Sequence, residues 1–103
     1  MIEFEKVGAV TDFVEGVLYS RRVGGKAVVV TRANGRFYAL SDVCTHSGFT
    51  ITPGTTDGET LLCPVHGAVF NIETGEPVEG PAGDPLPVYS VRIEGDEVFV
   101  GQP

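Results

Sequence analysis

Apolar and polar residues alternate along this chain in short runs, and no stretch keeps a helical repeat for even two or three turns. Glycine (14 residues) and proline (7 residues) are frequent between these runs. Short runs of period two, rich in β-branched and aromatic residues and bounded by turn residues, are typical of β-strands. The sequence therefore predicts an all-β protein.

Two local signals fix the first strands. Val28-Val29-Val30 indicates a buried strand, and Asn34-Gly35 indicates a tight hairpin, because such a turn needs positive φ and these residues tolerate it. Asp12–Gly16 is expected to be a turn or loop with room for a short helical turn. The predicted strands are Ile2–Phe4 with Val7, Val17–Val23, Lys26–Arg32, Arg36–Leu40, Glu59–Cys63, Val69–Ile72, Val88–Glu94 and Glu97–Val100, with room for one further pair.

The composition changes in the middle of the chain, where turn residues concentrate between Ser41 and Pro87. A chain of 103 residues is long enough for one domain with a modest core. We expect a single domain over residues 1–103, built on an antiparallel β-sandwich or barrel. This base spans about 1–40 and 86–103, and a loop-rich insert spans about 41–85.

The charge is strongly acidic, with 14 acidic residues against 7 basic residues and a formal net charge of −7. Nucleic acid is not an expected partner, because phosphate binding needs a basic patch. An acidic surface suits docking to a basic patch on another protein, or it simply keeps the chain soluble.

The N-terminal residues lack a signal-peptide core and no apolar run reaches the length of a membrane span. We therefore expect a soluble, cytoplasmic protein.

All of the cysteine and histidine, two residues of each, occurs in one stretch of the chain. The first pair is Cys44-Thr45-His46, and after a 16-residue interval the second is Cys63-Pro64-Val65-His66. Thiolate and imidazole are the side chains that bind iron, zinc and copper well. Spacings of two and three residues let each loop turn two ligands toward one point, and the interval leaves room for a hairpin between the loops. The pattern predicts a metal centre on Cys44, His46, Cys63 and His66.

Other interpretations of these residues differ in what they explain. A disulfide between Cys44 and Cys63, or a pair of buried free thiols, leaves the histidine beside each cysteine unexplained. A tetrahedral zinc site would use all four side chains. Zinc fingers usually place two Cys on one side and two His on the other, whereas the order here is Cys, His, Cys, His. That order suits a cluster with two thiolates on one metal and two imidazoles on another, and zinc stays the open alternative.

The C-x-H and C-x-x-H segments at this separation resemble the pattern of Rieske-type [2Fe–2S] proteins, in which two His replace two Cys on one of the two irons. The resemblance covers essentially the whole chain. Among Rieske proteins, the chain looks like the small ferredoxins of ring-hydroxylating dioxygenase systems. It implies one [2Fe–2S] cluster, with Cys44 and Cys63 on the inner iron and His46 and His66 on the outer iron. The stretch 80–85 resembles the proline-containing loop that covers the cluster in this family.

The chain also departs from the high-potential members of that family. Those members carry a disulfide between the two ligand loops, and the matching positions here are Phe49 and Val65. They also carry serine and tyrosine hydroxyls that bond the cluster region, where this chain has Ala68 and Phe70. Each missing donor removes stabilisation of the reduced cluster. The resemblance therefore implies a low potential, toward the bottom of a span of about −150 to +300 mV.

The residues left over set the expected role. No further histidine is available for a mononuclear iron, and there is no dinucleotide-binding fingerprint. The resemblance thus implies a monomeric one-electron carrier, without catalytic residues, between a flavin-dependent ferredoxin reductase and a terminal oxygenase. The alternative is a fixed small electron-transfer subunit of a larger oxidoreductase, such as a nitrite-reductase-like enzyme.

Overall fold

The computed structural model describes residues 3–43, 51–52, 54–62, 68–79 and 84–101. Within these ranges the regular structure is all strand, apart from one short 3-10 helix at Val10–Asp12. The all-β prediction is confirmed. The strands are β1 (Phe4–Ala9), β2 (Leu18–Val23), β3 (Lys26–Ala33), β4 (Arg36–Ser41), β5 (Thr55–Thr56), β6 (Thr60–Leu62), β7 (Val69–Asn71), β8 (Pro77–Glu79), β9 (Val88–Glu94) and β10 (Glu97–Gly101).

The strands form two antiparallel sheets. The larger has six strands in the order β1-β10-β9-β4-β3-β2, and the smaller has four in the order β5-β6-β7-β8. The larger sheet contains the first four strands and the last two, whereas the smaller is built wholly from the middle of the chain. In sequence, the predicted ligand segments belong to the same middle stretch of the chain that forms the smaller sheet.

The hairpin predicted at Asn34-Gly35 is present between β3 and β4. Both residues have positive φ, 55° and 78°, and the strands pair directly on either side, with Ala33 opposite Arg36. This geometry matches the right-handed twist of the paired strands, which is why Asn-Gly favours it.

Strand β3 is buried on both faces, as its continuous apolar run indicates. Val29 packs with Leu40 in one core, while Val28 and Val30 pack with Ala39 in another. Successive side chains of a strand point to opposite faces, so three consecutive valines can be buried only between two layers. The core with Val28 and Val30 is formed mainly by residues of the larger sheet itself, and the core with Val29 lies between the two sheets.

The core between the sheets, here called the inter-sheet core, joins the middle of the chain to the base. Its buried members are Leu18, Val29, Ala33, Leu40, Ile51, Leu61, Ala68, Phe70, Ile72 and Leu86. They come from β2, β3 and β4 on one side, from β6, β7 and their flanking residues on the other, and from Ile51 before β5 and Leu86 before β9. The smaller sheet is therefore held on the larger one by apolar packing, the main favourable term in folding.

One predicted strand ends earlier than expected. The pattern predicts a strand over Val69–Ile72, but β7 ends at Asn71. The Asn71 side-chain oxygen accepts hydrogen bonds from the backbone N–H groups of Glu73 (2.8 Å) and Thr74 (3.0 Å). This local capping turns the chain, because asparagine side chains compete with the sheet for backbone donors.

Candidate metal centre

The four predicted ligands Cys44, His46, Cys63 and His66 lie outside the described residues. The surroundings of the centre are seen in the residues that border each ligand segment. Among the residues that the structure describes, no group of three or more Cys, His, Asp or Glu side chains is arranged to hold a metal ion.

The first ligand segment leaves the larger sheet at the end of β4. Ser41 donates its backbone N–H to the Pro87 carbonyl (2.9 Å), and Asp42 donates its own to the Ala27 carbonyl (3.0 Å). On the far side of the segment, Ile51 donates its N–H to the Asp42 carbonyl (2.9 Å). The chain thus leaves and returns at one place, and both ends of the segment are tied to the base.

The second ligand segment joins two paired strands. Leu62 at the end of β6 pairs with Val69 at the start of β7, and Leu61 pairs with Phe70. Residues 63–67 therefore connect the two arms of a β-hairpin, which fixes where this segment begins and ends.

The borders of the two segments meet in the inter-sheet core. Ile51, which follows the first segment, and Leu61 and Ala68, which flank the second, are all 0% exposed and belong to that one core. Segments that start from one packed cluster can bring their side chains to a common point. Two thiolates and two imidazoles carried by such segments fit a [2Fe–2S] cluster with mixed ligation.

A turn within the smaller sheet is held by the Asp57 carboxylate. Its Oδ1 accepts hydrogen bonds from the backbone N–H groups of Glu59 and Thr60, both at 2.8 Å, and from the Thr60 hydroxyl at 3.1 Å. These donors favour the charged form and lower the pKa of Asp57 below its ordinary value of 3.8. The turn sets the start of β6, the strand that precedes Cys63 in the sequence.

At the positions that carry hydroxyl donors in high-potential relatives, this chain has hydrocarbon side chains without a hydroxyl. Ala68 and Phe70 are both 0% exposed, and the Phe70 ring is part of the inter-sheet core. The residues that precede the two ligand segments are apolar and outward-facing, with Val43 40% and Leu62 39% exposed.

Sequence reasoning missed one buried polar contact beside the first segment. Asp42 is 1% exposed, and its Oδ1 accepts hydrogen bonds from the Thr52 N–H and the Thr52 hydroxyl, both at 2.8 Å. A charged residue two positions before a cysteine reads in the sequence as a surface residue. The available signal was its position directly after β4, close to the buried residues Ala39 and Leu40.

No helix in the described part of the chain is long and apolar enough to cross a membrane.

Comparison with known proteins gives a consistent result. The Rieske [2Fe-2S] domain matches residues 3–90. Ferredoxin CarAc of Metapseudomonas resinovorans is 40% identical over 96 residues, which is 92% of this chain and 90% of the relative. The 3-phenylpropionate/cinnamic acid dioxygenase ferredoxin subunit of Shigella boydii serotype 4 (strain Sb227) is 36% identical over 77 residues, 74% of this chain and 73% of the relative.

Solved structures agree with the sequence comparisons. A chain in the complex of reduced oxygenase and oxidized ferredoxin of carbazole 1,9a-dioxygenase is 39% identical with a TM-score of 0.88, covering 94% of this chain and 91% of that one. The ferredoxin of carbazole 1,9a-dioxygenase from Nocardioides aromaticivorans IC177 is 28% identical with a TM-score of 0.93, covering 97% and 98%.

These relatives confirm the prediction of a Rieske-type electron carrier with one [2Fe–2S] cluster, since they are ferredoxins and ferredoxin subunits. The match covers most of the sequence and includes both Cys/His segments. The chain belongs to the Rieske [2Fe–2S] family.

Proposed function

We propose that this chain is the low-potential one-electron carrier of a ring-hydroxylating oxygenase system. It accepts an electron from a flavin-dependent ferredoxin reductase and passes it to a terminal oxygenase. The observation that carries the proposal is the convergence of both ligand-segment borders on one core, in a chain similar over most of its length to ferredoxins of two dioxygenase systems.

The ligand assignment is part of this proposal. Cys44 and Cys63 hold the inner iron, and His46 and His66 hold the outer iron, where a partner protein approaches. When bound, the cluster supplies one reversible electron per chain. The protein's own contribution is to hold four side chains, to exclude water with the buried residues around them, and to present the outer end to the partner. The domain is divided into a base (about 1–40 and 86–103) and a cluster-binding insert (about 41–85).

The partners are supported by charge and by the relatives. A net charge of −7 favours encounter with a basic surface, and such steering weakens as salt rises. A ferredoxin 39% identical to this chain forms a complex with the oxygenase of carbazole 1,9a-dioxygenase. Exposed Val43 and Leu62 offer a small apolar contact beside each ligand segment. We propose a monomer that works in the cytoplasm and docks transiently.

A fixed subunit of a nitrite-reductase-like enzyme is the second candidate. The small subunit of a putative NADH-dependent nitrite reductase from Mycobacterium tuberculosis has a TM-score of 0.89 with this chain, but it is 18% identical, so the likeness concerns the fold. Gel filtration separates the two, because a fixed subunit elutes with a large partner from its native host and a shuttle elutes alone.

The low potential is tested by restoring the missing hydroxyls. Ala68→Ser and Phe70→Tyr each place an O–H donor where this chain has carbon, and each should raise the midpoint potential measured in a redox titration. Tyr19→Phe, which removes a hydroxyl bonded to the Val14 N–H in the base, is the control and should leave the potential unchanged. A wild-type potential near the upper end of the family span, about +300 mV, would contradict the proposal.

The carrier role is tested by direct transfer. Chain reduced with dithionite under nitrogen is mixed with the oxidised oxygenase component of a ring-hydroxylating dioxygenase, and the recovery of its visible absorbance is followed. We expect rapid reoxidation that slows as salt is raised from low to about physiological strength. Reoxidation at the same slow rate with and without the oxygenase component would count against the role.

A further inference from the structure

Asp42 is a buried carboxylate among the described residues, and it lies directly before the first ligand segment. It is 1% exposed, and one of its oxygens, Oδ2, has no hydrogen-bond partner among those residues. The other oxygen, Oδ1, accepts two hydrogen bonds from Thr52. Burying a carboxylate costs free energy unless both oxygens are well paired.

The contacts of Asp42 span the ligand segment. Its N–H bonds the Ala27 carbonyl of β3, its carbonyl accepts the Ile51 N–H, and its side chain holds Thr52. One residue therefore ties the outgoing chain, the returning chain and the base sheet together. Between the tied ends lie residues 43–50, which include two of the four proposed ligands.

A purely structural clamp does not need a carboxylate. An asparagine carbonyl accepts the same two hydrogen bonds from Thr52 at a smaller desolvation cost, because it is uncharged. Asp42 lies two residues before the proposed ligand Cys44 in the sequence, and groups next to metal ligands orient them and tune the site, which gives a reason for a costly residue at this position.

We propose that Asp42 is a positioning residue for the metal centre. Its hydrogen bonds to Thr52 hold together the two ends of the first ligand segment, which carries Cys44 and His46. The proposal deepens the proposed function and rests on its ligand assignment.

The test uses five variants of the full chain with the cluster loaded. Asp42→Ala removes both side-chain hydrogen bonds, and Thr52→Val removes only the one made by the hydroxyl. Asp42→Asn and Thr52→Ser keep both acceptor and donors. Thr31→Val is the matched control, because Thr31 is also buried and its hydroxyl bonds the Val17 carbonyl (2.9 Å) in the base sheet.

Four quantities are measured for each variant: the rate of iron release to a chelator, the midpoint potential, the visible circular dichroism of the cluster, and the urea midpoint of the metal-free chain. We expect Asp42→Ala to release iron roughly ten- to a hundredfold faster and to change the potential and dichroism, the usual scale for groups that support metal ligands. Asp42→Asn should release iron at the wild-type rate, because it keeps both hydrogen bonds, but should change the midpoint potential, because it removes the carboxylate. Thr52→Val should lie between Asp42→Ala and wild type, and Thr52→Ser should restore the wild-type rate. Thr31→Val should lower the urea midpoint alone.

The outcomes separate the possible failures. If Asp42→Ala and Thr52→Val lower the urea midpoint but leave iron release, potential and dichroism as in wild type, Asp42 is merely structural and the inference is wrong. If Asp42→Ala does not fold, Thr52→Val against Thr31→Val still decides the matter. A wild-type chain that takes up no iron overturns the proposed function itself, and with it this inference.

Discussion

Replacing Gly75 with alanine should destabilise the protein more than the same substitution at any other turn glycine of positive φ among the described residues. Gly75 has φ +75° and lies against the chain that returns to the base: its carbonyl accepts the Leu86 N–H at 2.7 Å. A Cβ on this residue would lie 2.1 Å from the Leu86 carbonyl oxygen and 3.1 Å from Cγ2 of Val88. Neither backbone can stay where it is.

The cost follows from these contacts. A left-handed backbone conformation costs a residue with a Cβ about 1–2 kcal/mol. Relief of the overlap moves Leu86, which loses a hydrogen bond worth about 1 kcal/mol. Leu86 is 2% exposed in the inter-sheet core, and part of its burial, about 1.5–3 kcal/mol for a whole leucine, is lost as well. The expected loss is about 3–5 kcal/mol, a large fraction of a domain stability of about 5–15 kcal/mol.

Urea unfolding of the metal-free chain at pH 7 measures this loss, with Gly25→Ala as the matched control. Gly25 has φ +79°, and no atom of the described chain lies within 4 Å of its added Cβ. Gly25→Ala should therefore cost only the backbone term of about 1–2 kcal/mol. Equal losses for the two variants would refute the argument from the close approach to Leu86.

Three further predictions concern the smaller sheet and the base. Leu61→Ala should lower the free energy of unfolding by about 2–5 kcal/mol, because Leu61 is 0% exposed in the inter-sheet core; a loss under about 1 kcal/mol in urea would contradict its role there. The pKa of Asp57 is lowered by folding, so its contribution to stability is complete above the unfolded value of 3.8 and disappears as pH falls through the folded value. Between pH 7 and pH 3 the urea midpoint of wild type should therefore fall further than that of Asp57→Ala, and equal falls would show that the turn is not linked to this carboxyl. Asn34→Ala should cost about 1 kcal/mol at φ 55°, whereas Asn34→Gly should leave the thermal midpoint close to wild type; the reverse order would show that the hairpin does not depend on positive φ.

The local sequence pattern is sufficient to predict the positions of the long strands. The valine run of β3, the Asn34-Gly35 turn and the strand Val88–Glu94 were all predicted where the structure has them, because alternation and turn chemistry act within a few residues. Two short strands, Thr55–Thr56 and Pro77–Glu79, are not assigned to particular residues by the sequence pattern. Strands of two or three residues exist because a neighbouring strand offers its edge, and that information is not local.

Long-range contacts decide the rest. Gly75 is one of 14 glycines, and only the packed structure shows that its missing side chain leaves space for the Leu86 carbonyl. Asp42 is a charged residue that the fold buries, against the expectation for its type. The Cys and His pattern, in contrast, was readable from the sequence, because ligand chemistry restricts residue types and spacing more tightly than packing does.

The visible absorption spectrum of the purified chain, before and after dithionite, tests the central claim most directly. The account predicts a red-brown protein with about two irons and two sulfides per chain, whose broad bands bleach on uptake of about one electron at a potential toward −150 mV. A colourless protein that holds about one zinc per chain on these four side chains would contradict it.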